Sequence, residues 1–248
     1  MAESGKSCDI VRLVDIRKTY ITGELQVPVL KGINATVCRG EFVGFIGTSG
    51  SGKSTLLNIL GMLDVPTGGQ YYLEDIEVSQ FSDVEQATIR NLKIGFIFQS
   101  FNLFPHLTVE QNIEVPMLYA RVPGRIRSKR ALDLAKRVGL GHRLGHRPTQ
   151  LSGGECQRIA IARALSNNPA FILADEPTGN LDEKTSNEIM KLFHELNREQ
   201  GVTIVMVTHN PSLGPHYDKI IRLRDGRIDN TLFEWEIAAQ KKESEAAR

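Results

Sequence analysis

The densest concentration of chemistry in this sequence is Gly47-Thr48-Ser49-Gly50-Ser51-Gly52-Lys53-Ser54-Thr55, whose first eight residues fit the pattern G-x-x-x-x-G-K-[ST]. Gly47, Gly50 and Gly52 let successive backbone N–H groups approach phosphate oxygens closely, Lys53 reaches the β- and γ-oxygens, and the Ser54 hydroxyl is available to Mg²⁺. Thr48, Ser49, Ser51 and Thr55 complete the cradle. The alternative is a glycine-rich turn without function. Against it stand the apolar, β-rich run Glu41 to Ile46 before the loop, and the helical spacing of Leu56, Ile59, Leu60 and Leu63 after it. Phosphates would then rest on the positive end of a helix dipole.

Other polar residues close further apolar runs. Asp175 and Glu176 follow Phe171 to Ala174, and ligands gather at the C-terminal ends of strands in an α/β sheet. Asp175 is suited to hold Mg²⁺ through water, and Glu176 to accept a proton from an attacking water. A turn started by two acids before Pro177 and Gly179 is the plainer alternative. His209 ends the run Val202 to Val207 in the same manner, poised to hydrogen-bond a γ-phosphate, and Gln99 ends Ile94 to Phe98 with an amide oxygen for Mg²⁺ or the lytic water. Each of these two would be weak evidence alone.

A second string, Leu151-Ser152-Gly153-Gly154-Glu155, satisfies the capping-box pattern S-x-x-E ahead of the apolar helix Ile159 to Leu165. A capping box does not require two glycines in its middle. Gly153 and Gly154 would let amides approach an anion, beside the Ser152 hydroxyl, so the chain offers two phosphate-binding helix starts and a nucleotide gripped from two sides.

The elements needed to hold these groups are legible as a pattern. The near-continuous apolar runs Val43 to Ile46, Ile94 to Phe98, Phe171 to Ala174 and Val202 to Val207 suit a parallel sheet covered on both faces. A helix carries Ile189, Leu192, Phe193 and Leu196 on one face, and the architecture is therefore α/β. Val11 to Tyr20 and Val29 to Val37 alternate loosely and predict an antiparallel layer; Ile220 to Ile228 predicts a hairpin turning at Asp225-Gly226. Between Ser100 and Gln150 strand signals give way to a helical stripe of Ala131, Leu134, Ala135 and Val138, predicting a helical subdomain inserted in the core. Residues 1–230 form the predicted domain, and residues 231–248 a solvated extension.

In this order the motifs resemble those of the ATP-binding cassette ATPases from about Asp9 to Ile228: Tyr20, the loop Gly47 to Thr55, Gln99, the L-S-G-G-E signature, Asp175-Glu176, the loop Asn180-Leu181-Asp182, and His209. The resemblance implies a P-loop nucleotidase core with mainly parallel sheet, hydrolysis of ATP with Mg²⁺ held by Ser54, Gln99 and Asp175, and catalysis by Glu176 and His209. It also implies that Tyr20 stacks on adenine. Ser152, Gly153, Gly154 and Glu155 would bind the nucleotide of a second copy in trans, making a head-to-tail homodimer with Asn180 to Asp182 at its interface. The strings K-T-Y at Lys18 to Tyr20, Phe98 to Asn112, Leu173 to Asp182 and Val207 to Pro211 are similar to the lipoprotein-release and macrolide-export group, whose ATPases drive membrane subunits. Thr48 and Cys156 depart from that group's usual proline and glutamine. A separately encoded transmembrane permease is the partner so implied, with the ATPase peripheral on the cytoplasmic face of the inner membrane. The alternatives are a soluble non-transport ATPase of the same class or a cell-division regulator. A repair-type relative would need a long coiled coil, for which Ser100 to Gln150 is too short.

Composition agrees with a soluble intracellular enzyme. The 248 residues include 41% hydrophobic and 24% charged, with a formal net charge of +1 that implies no general attraction to nucleic acid. Cys8, Cys38 and Cys156 lack metal-ligand spacing and read as reduced thiols; Cys156, early in its helix, is either a buried filler or an interface thiolate favoured by the dipole and Arg158. No leader and no membrane span are expected. Arg121 to Gln150 holds nine Lys/Arg against the single acid Asp133, either a solvated face or a surface attracted to anionic lipid. His142 and His146 lie in the same stretch without metal-ligand partners.

Overall fold

The structure, a computed structural model, describes residues 8–231. Strand β1 (Asp9–Thr22) turns through Gly23 into β2 (Leu25–Cys38), and these two long antiparallel partners lie in one sheet. After β3 (Phe42–Gly47) and helix α1 (Lys53–Leu60), the chain returns to that sheet as β4 (Gly68–Leu73) and β5 (Ile76–Glu77), giving the order β2-β1-β4-β5. Helix α2 (Asp83–Lys93) leads to β6 (Ile94–Ile97). Helices α3 (Val109–Tyr119), α4 (Gly124–Arg137) and α5 (Gly153–Ala164) follow, with short 3₁₀ turns between α4 and α5. Strand β7 (Phe171–Asp175), helix α6 (Glu183–Gln200), strand β8 (Ile204–Thr208) and the hairpin β9 (Lys219–Arg224) and β10 (Arg227–Ile228) complete the second sheet, ordered β10-β9-β3-β8-β7-β6. All its pairings are parallel except the hairpin, whose turn residues Asp225 and Gly226 both have positive φ, as a two-residue hairpin turn needs.

The central parallel strands β3, β6, β7 and β8 are apolar along nearly their whole length because both faces are covered, and alternate residues serve different cores. Val43, Phe45, Leu173, Val205 and Val207 pack with α1 and the antiparallel layer. Phe42, Ile172, Ala174, Ile204 and Met206 pack instead with residues of α3 to α6. Burying these side chains at about 25 cal/mol per Å² of apolar surface supplies the main drive for folding. Polar groups are thereby confined to the strand ends.

Several boundaries differ from the sequence reading. Asp9 to Thr22 and Leu25 to Cys38 extend beyond the predicted strands. Strands β4 and β5 were not predicted, since Gly68-Gly69-Gln70 gives no apolar alternation; β4 forms because β1 supplies an antiparallel partner, Leu13 opposite Tyr71. Strand β6 stops at Ile97, so Gln99 lies beyond its end. The reading of three reduced thiols is corrected: the β1–β2 register brings Cys8 and Cys38 together, Cα to Cα 4.9 Å, and their sulfurs are joined in a disulfide. With the sulfurs joined, the adjacent Asp9 carboxylate and these cysteines do not make a thiolate metal site. Cys156 is buried, with Sγ 3.6 Å from the Pro148 carbonyl oxygen, and burial followed by the Glu155 charge raises its pKa, so the filler reading holds and the thiolate reading does not. Part of the basic run is structural: Arg127 donates to the Val122 carbonyl at 2.8 Å and pairs with Glu114. The predicted extension from residue 232 onward lies outside the described residues.

Among those residues no helix is long and apolar enough to cross a membrane. Helix α6 is held to the segment after β8 by paired histidines, with His194 Nε2 and His216 Nδ1 2.8 Å apart and His194 edge-on to Phe42. Burial lowers the His194 pKa, His216 and Arg198 add to the effect, and Asp218 opposes it. A histidine held low in the fold takes its proton more readily when unfolded. Its contribution to stability is therefore full above the ordinary histidine range and is lost as pH falls through it. The thermal midpoint should drop between about pH 7 and about pH 5.5, and drop less in His194→Asn, as differential scanning fluorimetry would show.

Candidate functional site

The loop before α1 is built for an anion. Gly52, the residue that starts the helix, has φ 101°, and no side chain caps the N-terminal amides. By contrast α2, α3 and α5 are capped by Ser82, Thr108 and Ser152, each with a reciprocal Glu or Gln. An uncapped, dipole-positive helix start is the anion-binding arrangement. Gly47 is enforced by space: a Cβ there would lie 2.4 Å from the Leu223 carbonyl oxygen and 2.5 Å from Ser51 Oγ. The Gly226 amide donates to the Ser51 carbonyl at 3.1 Å, so the β9–β10 hairpin forms the floor of the loop.

Lys53 folds back over this cradle, donating from Nζ to the Gly47 and Thr48 carbonyls at 2.8 Å each. Burial lowers its pKa, while the charges of Glu176 and Asp175 raise it in opposition. Those two acids come from the end of β7, where burial and then the Glu176 charge push the Asp175 pKa up and Lys53 pulls it down. The site thus contains a half-buried carboxylate pair facing one ammonium. Glu176 has φ 42°, an unusual backbone for a residue with a side chain, fixed by its amide bond to Val207 and by the Gly179 amide donating to its carbonyl. His209 Nδ1 lies 2.6 Å from Glu176 Oε1. A carboxylate accepting in this bond does so from the proton that the ring carries on Nδ1. The sequence-predicted Lys53, Asp175, Glu176 and His209 are therefore brought together.

A second cluster gathers the signature. Ser152, Gly153, Gly154, Glu155 and Arg158 share a pocket of ≈ 290 Å³ with Asn180, Leu181, Asp182, Thr185 and Glu188, and no residue of Gly47 to Thr55 lines it. The capping box is formed: Glu155 accepts from the Ser152 amide at 2.9 Å, and its own amide donates to Ser152 Oγ at 3.3 Å. Gln99 is bound to this second cluster, its Nε2 donating to Asn180 Oδ1 at 3.2 Å and its main-chain carbonyl accepting from Asn180 Nδ2 at 3.1 Å. Tyr20 stands half-exposed on β1, its hydroxyl bonded to Asp64 at 2.9 Å.

Three connecting residues escaped the sequence reading. Buried Gln157 donates to the Pro177 carbonyl at 2.7 Å, tying the signature helix to the loop after Glu176. Arg163 donates to the carbonyls of Phe101, at 2.9 Å, and Asn102, holding two consecutive residues of positive φ just past Gln99. Lys18 is buried beside Asp64, its Nζ donating at 2.5 Å. The spacing Gln157 to Arg163 within a helix was the only available hint, and periodicity assigns such positions to a core without naming their partners.

A family model described as ABC transporter matches residues 30–179. The chain belongs to the ABC transporter family. An uncharacterised ABC transporter ATP-binding protein of Thermotoga maritima is 56% identical over 220 residues, covering 89% of this chain and 94% of that one. The macrolide export ATP-binding/permease protein MacB of Syntrophobacter fumaroxidans is 51% identical over 89% of this chain, which spans only 31% of that protein. Among solved structures, the dimeric cassette MJ0796 of Methanocaldococcus jannaschii, bound to ADP and Pi, matches at 47% identity with TM-score 0.80, covering 89% of this chain and 97% of that one. The fold is that of an ABC nucleotide-binding domain, and the expected likeness to the macrolide-export group agrees with these relatives.

Packing at the signature yields a test. A Cβ on Gly154 would lie 2.5 Å from Thr185 Cγ2, so this glycine is required by the contact of α5 with α6 as well as by any anion. Gly154→Ala should cost about 1–3 kcal/mol of stability. Adding Thr185→Ser removes the obstructing methyl while keeping the hydroxyl that bonds Asp182. The double variant should recover the thermal midpoint and most ATPase activity lost by Gly154→Ala.

Proposed function

We propose that this chain hydrolyses ATP as the motor of a transporter, with Glu176 as general base. The observation that carries the reading is the Glu176–His209 pair beside Asp175 and Lys53. The triphosphate lies along Gly47 to Thr55, and Lys53 exchanges its carbonyl partners for phosphate oxygens. The attacking water gives its proton to Glu176, which His209 orients, while the fixed positive groups stabilise charge on the departing phosphate. Ser54, Asp175 and the side-chain amide oxygen of Gln99 are hard oxygen donors, and the excess of carboxylate at Asp175-Glu176 suits a small divalent cation such as Mg²⁺. That ion would neutralise the phosphate charge when bound.

The pocket shared by Ser152 to Glu155 and Asn180 to Asp182, separate from the chain's own phosphate loop, supports binding of a second copy's nucleotide. The dimeric state of the MJ0796 cassette supports it further. Residues 1–230 serve as one nucleotide-binding domain carrying the insertion at about residues 100–150.

The permease partner follows from a different surface. Leu63, Val84, Phe104 and Tyr119 expose apolar side chains around a groove of ≈ 1060 Å³ between α2, α3 and the loop after Gln99. A groove of that character next to the Gln99 loop suits a segment of a membrane subunit, which would place the chain at the cytoplasmic face of the membrane. MacB carries its permease in the same chain, and a structural neighbour from Clostridium perfringens is described as part of an ABC transporter complex.

Glu176→Gln retains the hydrogen bond but not the proton acceptor, and should lower turnover ~10²–10⁴-fold while ATP binding persists. Phosphate release and nucleotide titration measure the two separately; turnover within a few-fold of the parent would move the base elsewhere. In the same background ATP should drive dimerisation on size-exclusion chromatography. Val84→Glu with Tyr119→Glu should retain that dimer but lose co-purification with a multi-span membrane protein.

A further inference from the structure

Tyr20 is 38% exposed, yet its ring is held from two directions. Its hydroxyl donates to Asp64 Oδ2 at 2.9 Å, and Lys18 Nζ lies over the ring, 4.9 Å from its centroid. Lys18 and Tyr20 are two residues apart on β1 and so share one face of the strand. The lysine is 7% exposed, its ammonium donating to Asp64 Oδ1 at 2.5 Å and to the Val65 carbonyl at 2.8 Å. A buried lysine so completely engaged is a fixed point rather than a solvated charge.

Asp64 is equally constrained. Its backbone amide donates to the Asn58 carbonyl of α1 at 3.2 Å, and its Oδ1 accepts from the Val65 amide at 2.8 Å. Burial acts to raise its pKa, but hydrogen bonds from Lys18, Tyr20 and Val65 hold it below the ordinary aspartate range. The carboxylate thus joins β1 to the far end of the helix that begins at the phosphate loop. One carboxylate takes both the tyrosine hydroxyl and the ammonium that covers one ring face.

We propose that Lys18 and Asp64 are positioning residues for the nucleotide base: Asp64 fixes the Tyr20 hydroxyl, Lys18 occupies one face of the ring, and the opposite face is held ready to stack on a purine. The inference rests on the reading above that Tyr20 receives adenine. An aromatic ring left to rotate would lose part of the stacking energy to ordering at the moment of binding. An ammonium over the remote face also fixes which side of the ring meets the ligand. The arrangement acts on the base alone and leaves the phosphate contacts of Gly47 to Thr55 unaltered.

Inorganic tripolyphosphate, which has phosphates but no base, separates this role from a general disturbance of α1. Asp64→Asn should raise KM and Kd for ATP about 5–10-fold, within the range that stacking on an aromatic provides, with kcat changed less than about twofold. Its affinity for tripolyphosphate, measured by competition, should stay within about twofold of the parent. Tyr20→Phe, which loses only an exposed hydroxyl and has little reason to misfold, should weaken ATP by a smaller factor in the same direction. In a Tyr20→Ala background, Asp64→Asn should add nothing. Equal loss of ATP and tripolyphosphate affinity in Asp64→Asn, or full additivity with Tyr20→Ala, overturns the inference in favour of a structural ion pair. Weakened ATP binding in Tyr20→Ala beside unaltered binding in both Asp64→Asn and Tyr20→Phe overturns the positioning role but leaves the adenine reading standing. Unaltered ATP binding in Tyr20→Ala overturns the adenine reading and this inference with it.

Discussion

A sheet buried on both faces can carry charge only at its ends, and this constraint shapes everything else in the molecule. Val43 and Phe45 turn toward one core while Phe42 turns toward the other, leaving no polar position within the strand. Asp175, Glu176 and His209 therefore stand where strands end, and Lys53 opens the helix that follows the end of β3. Their mutual proximity is a result of the parallel register, which sets Asp175 opposite Val207 and Ile46 opposite Thr208. Burial at the strand ends raises Asp175 and lowers Lys53, and the attraction between their charges opposes both shifts. Such opposed shifts are typical of places where protons or phosphates are handled.

The two glycine-rich helix starts solve different problems with similar sequences. Gly52 opens α1 without any side-chain cap, so its amides await an external acceptor. Ser152 and Glu155 close the start of α5 on themselves, and Gly154 lies flush against Thr185. The first is a receptor by omission; the second is a rigid edge whose pocket continues into Asn180 to Asp182. Gln157 to Pro177 ties the edge helix to the segment just after Glu176, and Gln99 to Asn180 ties the pocket's other wall to the residue beyond β6.

The sequence made the chemistry legible sooner than the packing. Lys53, Asp175, Glu176 and His209 sit in short strings or at strand ends whose character needs only local patterning. The apolar runs of the parallel strands were equally plain. What escaped depends on partners distant in the chain. Strand β4 is Gly-rich and forms against β1, which no window of its own residues reveals. Cys8 and Cys38 are separated by 30 positions and meet only because of strand register. Lys18 and Asp64 each look like ordinary surface charges until the fold places one beneath Tyr20 and the other at the end of α1. The Cys156 alternatives were decided by burial, which outweighs the favourable helix position for a thiol largely withdrawn from water.

The floor beneath the phosphate loop comes from the hairpin: the Leu223 carbonyl oxygen walls Gly47, and the Gly226 amide bonds Ser51. A loop written near residue 50 is thus finished by residues some 170 positions later in the sequence. During synthesis, the segment carrying the phosphate-binding pattern leaves the ribosome long before its supporting turn exists. Contacts of such span are slow to form, since they require much of the intervening chain to be ordered first. The loop therefore has its walls only once the hairpin has been made, and a nascent chain lacking the hairpin carries the letters of the motif without the contacts at Gly47 and Ser51.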